Sequence, residues 1–569
     1  MHRVLAALLI VVSAFMLFYR LGATPIWRDE GTTAVWARAM AENNWLLPWV
    51  YDDAEGQLMV QADDGHDVNS KMLPAMQAYL QFYVAALSFK VLGADAWSAR
   101  FPFALLGALT LFVLWLIGKR LFGPGILALV PPGTASVSML FLHAARQCRY
   151  YMLAGLFATL VVYELCRYLE DRNVVRSPWF FARLATWGLL LNFSNYVAFL
   201  GTWTAVGLWV LWTRDFRFTR RFILTCFAMA VPVLADFFAL HAEFASSWPP
   251  PSEAPFLELM QGPLTNRARD FWRAIPVVAI LPAAAWLAWS RLRGRTFALA
   301  ATGTGVAAAL SGLWWSQGDW AELPLGLFWV AAALCLLGPL GLFLSIDDPG
   351  KETRAAVLCG LILIVGPLVA LGAVKAKTST RHYYQILPAA ILVSSLAVAG
   401  VARKNRPAGV VLFAGMALWP ALDLGWGGTE QIVRRQFVAD RSYVGPLLDF
   451  MEREVPPGSK MAFVRNVKGM TTYFYRPDIR WNALLNADAP HNAQFRGRIP
   501  DDQFDDCDGC ADWYVVWDPR GTTPKGLDRE AFELVWTHEY PTWLGWWDRE
   551  KSPSVRKYQV WKRKEADGG

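Results

Sequence analysis

The chain reads as an α-helical polytopic membrane protein of about thirteen transmembrane helices, with interfacial helices in its first outer loop and a C-terminal extracytoplasmic α/β domain. Three observations predict this. Of 569 residues, 55% are hydrophobic and only 18% charged, with a mean hydropathy of +0.27. Apolar runs long enough to cross a bilayer, about 17 residues or more, recur as far as residue 424, and beyond about 428 they stop and charge rises. The 29 tryptophans suit aromatic belts at bilayer interfaces. The net charge of +7 is read as cytoplasmic Lys and Arg. No basic-aromatic motif points to nucleic acid, and none is expected as a partner.

The first apolar run, 4–19, is long and lacks a small-residue cleavage site, so it is expected to stay as a first helix. It leads straight into Leu21-Gly22-Ala23-Thr24-Pro25-Ile26-Trp27-Arg28-Asp29-Glu30. A carboxylate pair at the mouth of a transmembrane helix is costly unless it faces a polar cavity, which marks Asp29 and Glu30 as candidate catalytic residues. The plainer reading is that they charge the N-terminus of a helix over Thr32 to Ala41. Further spans are expected at 98–117, 123–143, 150–168, 179–193, 196–213, 222–241, 274–290, 297–315, 323–345, 355–374, 383–401 and 408–424.

The run Met72 to Leu92 decides the topology. If it lies in the interface, the basic clusters Lys119/Arg120, Arg172/Arg176, Arg214/Arg217/Arg220/Arg221, Arg291/Arg293/Arg295 and Arg403/Lys404/Arg406 all face one side, the cytoplasm. Gln77, Gln81 and Lys90 within it also suit an amphipathic interfacial helix. This places the N-terminus inside and the C-terminus outside a bacterial cytoplasmic (inner) membrane, with residues 1–427 as the membrane domain, 20–97 as its first outer loop, and 428–569 as the soluble domain. In the last of these, the charged stretch Asp449 to Glu454 precedes Pro456-Pro457-Gly458, and strands are expected at Met461 to Val464, Trp513 to Trp517, Phe532 to Trp536 and Lys557 to Trp561. Cys148, Cys166, Cys226, Cys335 and Cys359 read as small buried hydrophobes. Cys507 and Cys510 form a lone Cys-Asp-Gly-Cys, a poor zinc site, and in an extracytoplasmic domain are expected as a disulfide.

Two outer turns carry cations. Arg146 and Arg149, in His143-Ala144-Ala145-Arg146-Gln147-Cys148-Arg149-Tyr150-Tyr151, read either as helix C-terminal and headgroup-facing charges or as an anion clamp. The turn Lys375-Ala376-Lys377-Thr378-Ser379-Thr380-Arg381-His382-Tyr383 puts three cations, three hydroxyls and a histidine where few basic residues are expected. A phosphate explains them best: Lys supplies point charge, Arg a bidentate fork, and the hydroxyls the remaining hydrogen bonds, with Lys71 joining from the first loop. Anionic headgroups are the alternative ligand. Asp29 beside such a site suggests a sugar on a lipid phosphate, its leaving group held by cations while the carboxylate deprotonates an incoming hydroxyl.

On these residues the chain resembles the GT-C superfamily of integral-membrane glycosyltransferases, especially bacterial lipid A aminoarabinose transferases and protein O-mannosyltransferases. The resemblance runs in order through the Asp29-Glu30 loop, Lys71, Trp97-Ser98-Ala99-Arg100-Phe101-Pro102 with Gly118-Lys119-Arg120, Ala145 to Leu153, the 374–384 turn leading into Leu387-Pro388, and a small outer domain. It implies a GT-C fold and a polyprenyl-monophosphate sugar donor such as an undecaprenyl-phosphate sugar. It implies Asp29 as the catalytic acidic position and Lys71, Lys375, Lys377 and Arg381 as phosphate contacts. Arg146, Arg149, His382 and Tyr383 join them as candidates from the turns above. Partners are then membrane lipids, the donor, and an acceptor that is a lipid, a glycan or a protein. Many relatives carry an Asp after the aromatic of the second outer loop, where the matching stretch here is Tyr150-Tyr151-Met152-Leu153, and an acidic residue before the interfacial lysine, where this chain has Ser70. No cofactor is assigned with certainty. A divalent metal is the one open option, with His241 its weak candidate ligand by position, but the carboxylate partner is missing. A lipid-linked sugar flippase would need polar residues along a transmembrane path, of which Glu164 and Asp236 are the main ones. A non-catalytic envelope-assembly scaffold would not require Asp29.

Overall fold

A computed structural model describes residues 2–26, 28–42, 78–236, 350–374, 387–404, short stretches from 406 to 414, and, toward the C-terminus, 445–464, 474–476, 479–484, 512–518, 531–541 and 555–564. Lys71, His241, Lys375, Lys377, Arg381, His382, Tyr383, Cys507 and Cys510 lie outside the described residues. So do the expected spans at 274–290, 297–315 and 323–345 and the 427/428 boundary. For Asp29 the backbone is described.

The described part is mostly helical: α1 (His2–Phe18), α2 (Arg28–Glu42), α3 (Leu80–Leu92), α4 (Ala96–Phe122), α5 (Val130–Val137), α6 (Met139–Ala145), α7 (Tyr151–Glu170), α8 (Pro178–Ser194), α9 (Tyr196–Thr213), α10 (Phe216–Asp236), α11 (Lys351–Val374), α12 (Leu387–Lys404) and α13 (Gly445–Glu454). Among the described residues, Ala96–Phe122, Tyr151–Glu170, Tyr196–Thr213 and Phe216–Ala235 are long and apolar enough to span a bilayer. Shorter apolar helices accompany them, and the chain is a multi-pass membrane protein.

Helix α3 runs 13 residues, roughly 20 Å at 1.5 Å per residue, too short to cross the hydrocarbon layer. The expected single span at 123–143 is instead a 3₁₀ turn, Ile126–Leu129, followed by α5 and α6, which are separated at Ser138. Pro131 and Pro132 at the start of α5 withhold the amides a continuous helix would need, and the Ser138 hydroxyl restarts the chain by accepting from the Phe141 amide at 3.3 Å.

Described members of the basic clusters meet at one end of the bundle. Arg120 bonds Glu170 and the Tyr163 hydroxyl (3.0 Å to the latter), Arg221 donates to Val175 O, Lys351 to Arg120 O at 2.6 Å, and Arg403 pairs with Glu352 at 2.6 Å. Glu164 is buried near that end, paired with Arg167 at 2.7 Å and Arg183 at 2.9 Å, so it ties α7 to α8.

The C-terminal region holds a five-stranded sheet of β1 (Lys460–Val464), β2 (Arg480–Leu484), β3 (Trp513–Asp518), β4 (Phe532–Pro541) and β5 (Val555–Arg563), in the order β2-β1-β3-β5-β4. The pairs β1–β2 and β1–β3 are parallel, β3–β5 and β4–β5 antiparallel. Helix α13 packs Leu447, Phe450 and Met451 against Met461, Trp513, Val515 and Val560 of this sheet. Strand β2 is the element that periodicity missed: Arg480-Trp481-Asn482-Ala483-Leu484 is short, and its place comes from parallel pairing with β1.

Candidate active site

At the end of the bundle opposite the basic clusters, the chain leaves α1 and turns into α2. That helix begins at Arg28, earlier than the expected Thr32, so positions 29 and 30 sit in its first turn, where backbone amides favour negative charge. Glu30 is fully buried and paired. Its Oε1 accepts from Arg100 Nε at 2.9 Å and from the Cys148 amide at 2.8 Å, and its Oε2 accepts from Arg100 Nη2 at 2.7 Å.

Arg100 comes from the first turn-and-a-half of α4, whose start is set by an Asp95–Ser98 capping box. Its remaining N–H groups reach Leu21 O (3.0 Å), Thr24 O (2.8 Å), Thr24 Oγ1 (3.2 Å) and Pro25 O (3.0 Å). All five donors of the guanidinium are used, and the loop 21–25 is wrapped around it. Close backbone approach makes this geometry reachable: a Cβ on Gly22 would stand 2.8 Å from Trp97 Cβ.

The second outer turn divides its two arginines. Arg146 Nη1 donates to Met16 O (2.8 Å) and Leu17 O (3.1 Å), and Nη2 to Tyr19 O (2.8 Å), so it caps the C-terminus of α1. Burial, and the positive charge of Arg100 nearby, lower its pKa to about 10. Arg149 lies beside α2 instead. Its Nη1 donates to Thr33 Oγ1 at 3.1 Å, and the guanidinium stands 5.3 Å from the Tyr150 ring centroid.

Thr33 is one helical turn after position 29 on the same face of α2, so Arg149 is brought to that face. Gln81 of α3 completes the lattice. Its Oε1 accepts from Thr33 Oγ1 (3.2 Å) and the Tyr150 amide (3.2 Å), while Nε2 donates to Ala78 O (3.1 Å). The turn also carries a buried Cys148 whose pKa is raised well above that of a free thiol by burial, then by the adjacent Glu30 charge. It is inert packing rather than a nucleophile.

Sequence reasoning quoted Arg100 within the 97–102 stretch and Gln81 as an interfacial-helix residue but gave neither a place in the site, and it missed Thr33 altogether. The signal for Arg100 was present: a cation inside an apolar helix is rare and seeks a partner. Gln81 and Thr33 gave no comparable signal. Among the described residues, no three His, Cys, Asp or Glu gather to hold a metal ion. Cys148, Cys166 and Cys359 are buried free thiols, and Cys226 is a half-buried one.

Residues 76–237, which contain Gln81, Arg100, Arg146 and Arg149, match the family model described as dolichyl-phosphate-mannose-protein mannosyltransferase. No curated protein sequence matches the chain. Two solved structures of ArnT from Cupriavidus metallidurans are similar, both at 14% identity. The one bound to undecaprenyl phosphate has a TM-score of 0.42, covering 98% of this chain and 97% of its own. The apo one has 0.41, covering 90% and 92%. This likeness is too loose to place any residue of this chain.

Proposed function

We propose that this protein is a GT-C-type membrane glycosyltransferase that moves a sugar from a polyprenyl-monophosphate donor to an acceptor hydroxyl on the outer face of a bacterial cytoplasmic membrane. The observation that carries the reading is the Glu30–Arg100–Cys148 lock: a buried device that fixes the first turn of α2, the turn that holds position 29, while Arg149 bonds Thr33 one turn further along the same helix. The family match over residues 76–237 supports a donor of the sugar-on-a-lipid-phosphate class.

The reaction is a single, inverting displacement. The Asp29 carboxylate takes the proton of the acceptor hydroxyl as the hydroxyl oxygen bonds to the anomeric carbon. The bond from that carbon to the donor phosphate breaks, and its electron pair goes to the phosphate oxygen. Phosphate is already a good leaving group, so the cations need only stabilise its growing charge, and no proton donor is required. In this reading Lys71, Arg149, Lys375, Lys377 and Arg381 are the residues that hold it, and His382 and Tyr383 are further candidates for the same role. Arg146 is assigned to the α1 cap and Glu30 to positioning Asp29. Orientation follows the basic clusters, which face the cytoplasm, so that this site and the C-terminal sheet lie outside.

The test is turnover. Protein in nanodiscs is given polyprenyl-phosphate mannose or polyprenyl-phosphate aminoarabinose with an extract of envelope lipids, glycans and proteins, and release of polyprenyl phosphate is followed. Release that survives Asp29→Asn, or that no donor elicits, refutes the reading. Mass spectrometry of envelope material made with and without the protein identifies the acceptor.

A further inference from the structure

Three consecutive residues between β1 and β2, Phe474, Tyr475 and Arg476, connect the sheet-bearing region to the α2 loop. On one side, Arg476 Nη2 donates to Val455 O at 2.9 Å and Nη1 donates to Met451 O, which anchors the segment to the end of α13. On the other side, Phe474 is 2% exposed within a cluster that α2, α3 and α4 share with α7 to α10; its ring lies 5.8 Å from that of Phe89, and its carbonyl accepts from Arg38 Nη1 at 3.0 Å. Between these anchors, the Tyr475 hydroxyl accepts a hydrogen bond from the Ile26 amide at 2.8 Å.

That amide needs a partner. Ile26 is fully buried, and it precedes α2, so no helical carbonyl can receive its N–H. Its partner among the described residues is a side chain 449 positions away in sequence. Ile26 also directly follows Pro25, whose carbonyl Arg100 holds, and stands three residues before Asp29.

We propose that Tyr475 is a positioning residue: its hydroxyl, pinned by Phe474 and Arg476, sets the path of the chain into α2 and thereby the placement of Asp29. The C-terminal region thus completes the active site of the membrane domain without touching substrate. The proposal rests on Asp29 as the base; the contact itself does not.

Tyr475→Phe removes one acceptor and keeps the ring, so the fold survives. The first readout is hydrogen–deuterium exchange at the Ile26 amide of the full-length protein in nanodiscs, resolved by fragmentation. Exchange should quicken roughly three- to tenfold, the effect of one net hydrogen bond. Arg476→Gln, which loosens the anchor from a distance, should move it the same way by less. The second readout is transfer from polyprenyl-phosphate mannose: kcat should fall roughly tenfold while donor KM stays within about twofold, since positioning acts on the reacting geometry and not on donor binding. Unchanged exchange at Ile26 in both variants overturns the proposal, as does faster exchange with kcat intact or with kcat and KM changed in parallel. Failure of the unsubstituted protein to turn over any donor counts against the glycosyl-transfer reading alone, and the exchange arm then decides whether the pin exists.

Discussion

Arg100 and Glu30, 70 residues apart, meet through two hydrogen bonds of 2.9 and 2.7 Å with side chains only 6% and 1% exposed. A buried ion pair gains little over an apolar pair of equal volume, but losing one partner strands a charge. Its use here is geometric. It fixes the loop 21–25 and the first turn of α2 to the start of α4, next to the amide of Cys148.

Glu30→Gln and Arg100→Gln should each destabilise the protein by about 3–5 kcal/mol, read as a lower midpoint of thermal unfolding in detergent. The double variant should be less damaging than the sum of the two singles, because neither charge is then left alone. Two singles that melt like the parent would remove the lock.

Asp29→Asn should abolish transfer while leaving donor binding measurable, since the amide keeps size and polarity but cannot take a proton. A drop of about 10² to 10⁴ in kcat is expected for loss of a general base. Parent-like turnover would discard Asp29.

Arg149→Ala should cost about 10² to 10³ in rate if its guanidinium stabilises the leaving phosphate. Arg149→Lys should recover only part, because a point charge cannot both reach Thr33 and stack on Tyr150. Full activity of the Lys variant would argue that only the charge matters there.

Gly107→Val should destabilise by about 1–3 kcal/mol through overpacking. A Cβ at 107 would stand 2.7 Å from Ala145 Cβ, at the crossing of α4 and α6 that delivers the 146–149 turn to the site. Cooperative melting at the parent temperature would show that the two helices separate freely.

Alkaline titration should weaken the Tyr475 contact. Burial pushes its phenol from 10 up to about 12. Below pH 10 both folded and unfolded states keep the proton and the stabilisation is whole. Between 10 and about 12 only the unfolded state releases it, so stability falls as pH rises. The melting temperature of the parent should therefore drop more steeply across that interval than that of Tyr475→Phe, and equal slopes would contradict the burial of this phenol.

Elements with a strong local signal were legible from the residues alone. The long apolar helices α4, α7 and α9 needed only hydrophobic runs, and strands β1, β3, β4 and β5 needed only alternating β-branched and aromatic residues. The breaks went astray where local chemistry competes with hydropathy, as in the apolar run that Pro131, Pro132 and Ser138 divide into α5 and α6. For the site, carboxylates at the mouth of a helix and cations in two turns stood out because charge beside hydrocarbon is costly enough to need a reason.

Which charge answers which was not legible. Arg146 and Arg149 are three residues apart and look alike in sequence, yet one closes the carbonyls of α1 and the other reaches Thr33 on α2. Glu30 and Asp29 are adjacent, and α2 turns Glu30 toward Arg100 because successive helical positions point about 100° apart. Sequence by itself determined that the chain is a multi-pass membrane protein, since composition and burial cost act residue by residue. The tertiary structure decided the partners, including a tyrosine 449 positions from the amide it holds, because hydrogen bonds are settled by distances of a few ångströms that only the packed chain sets.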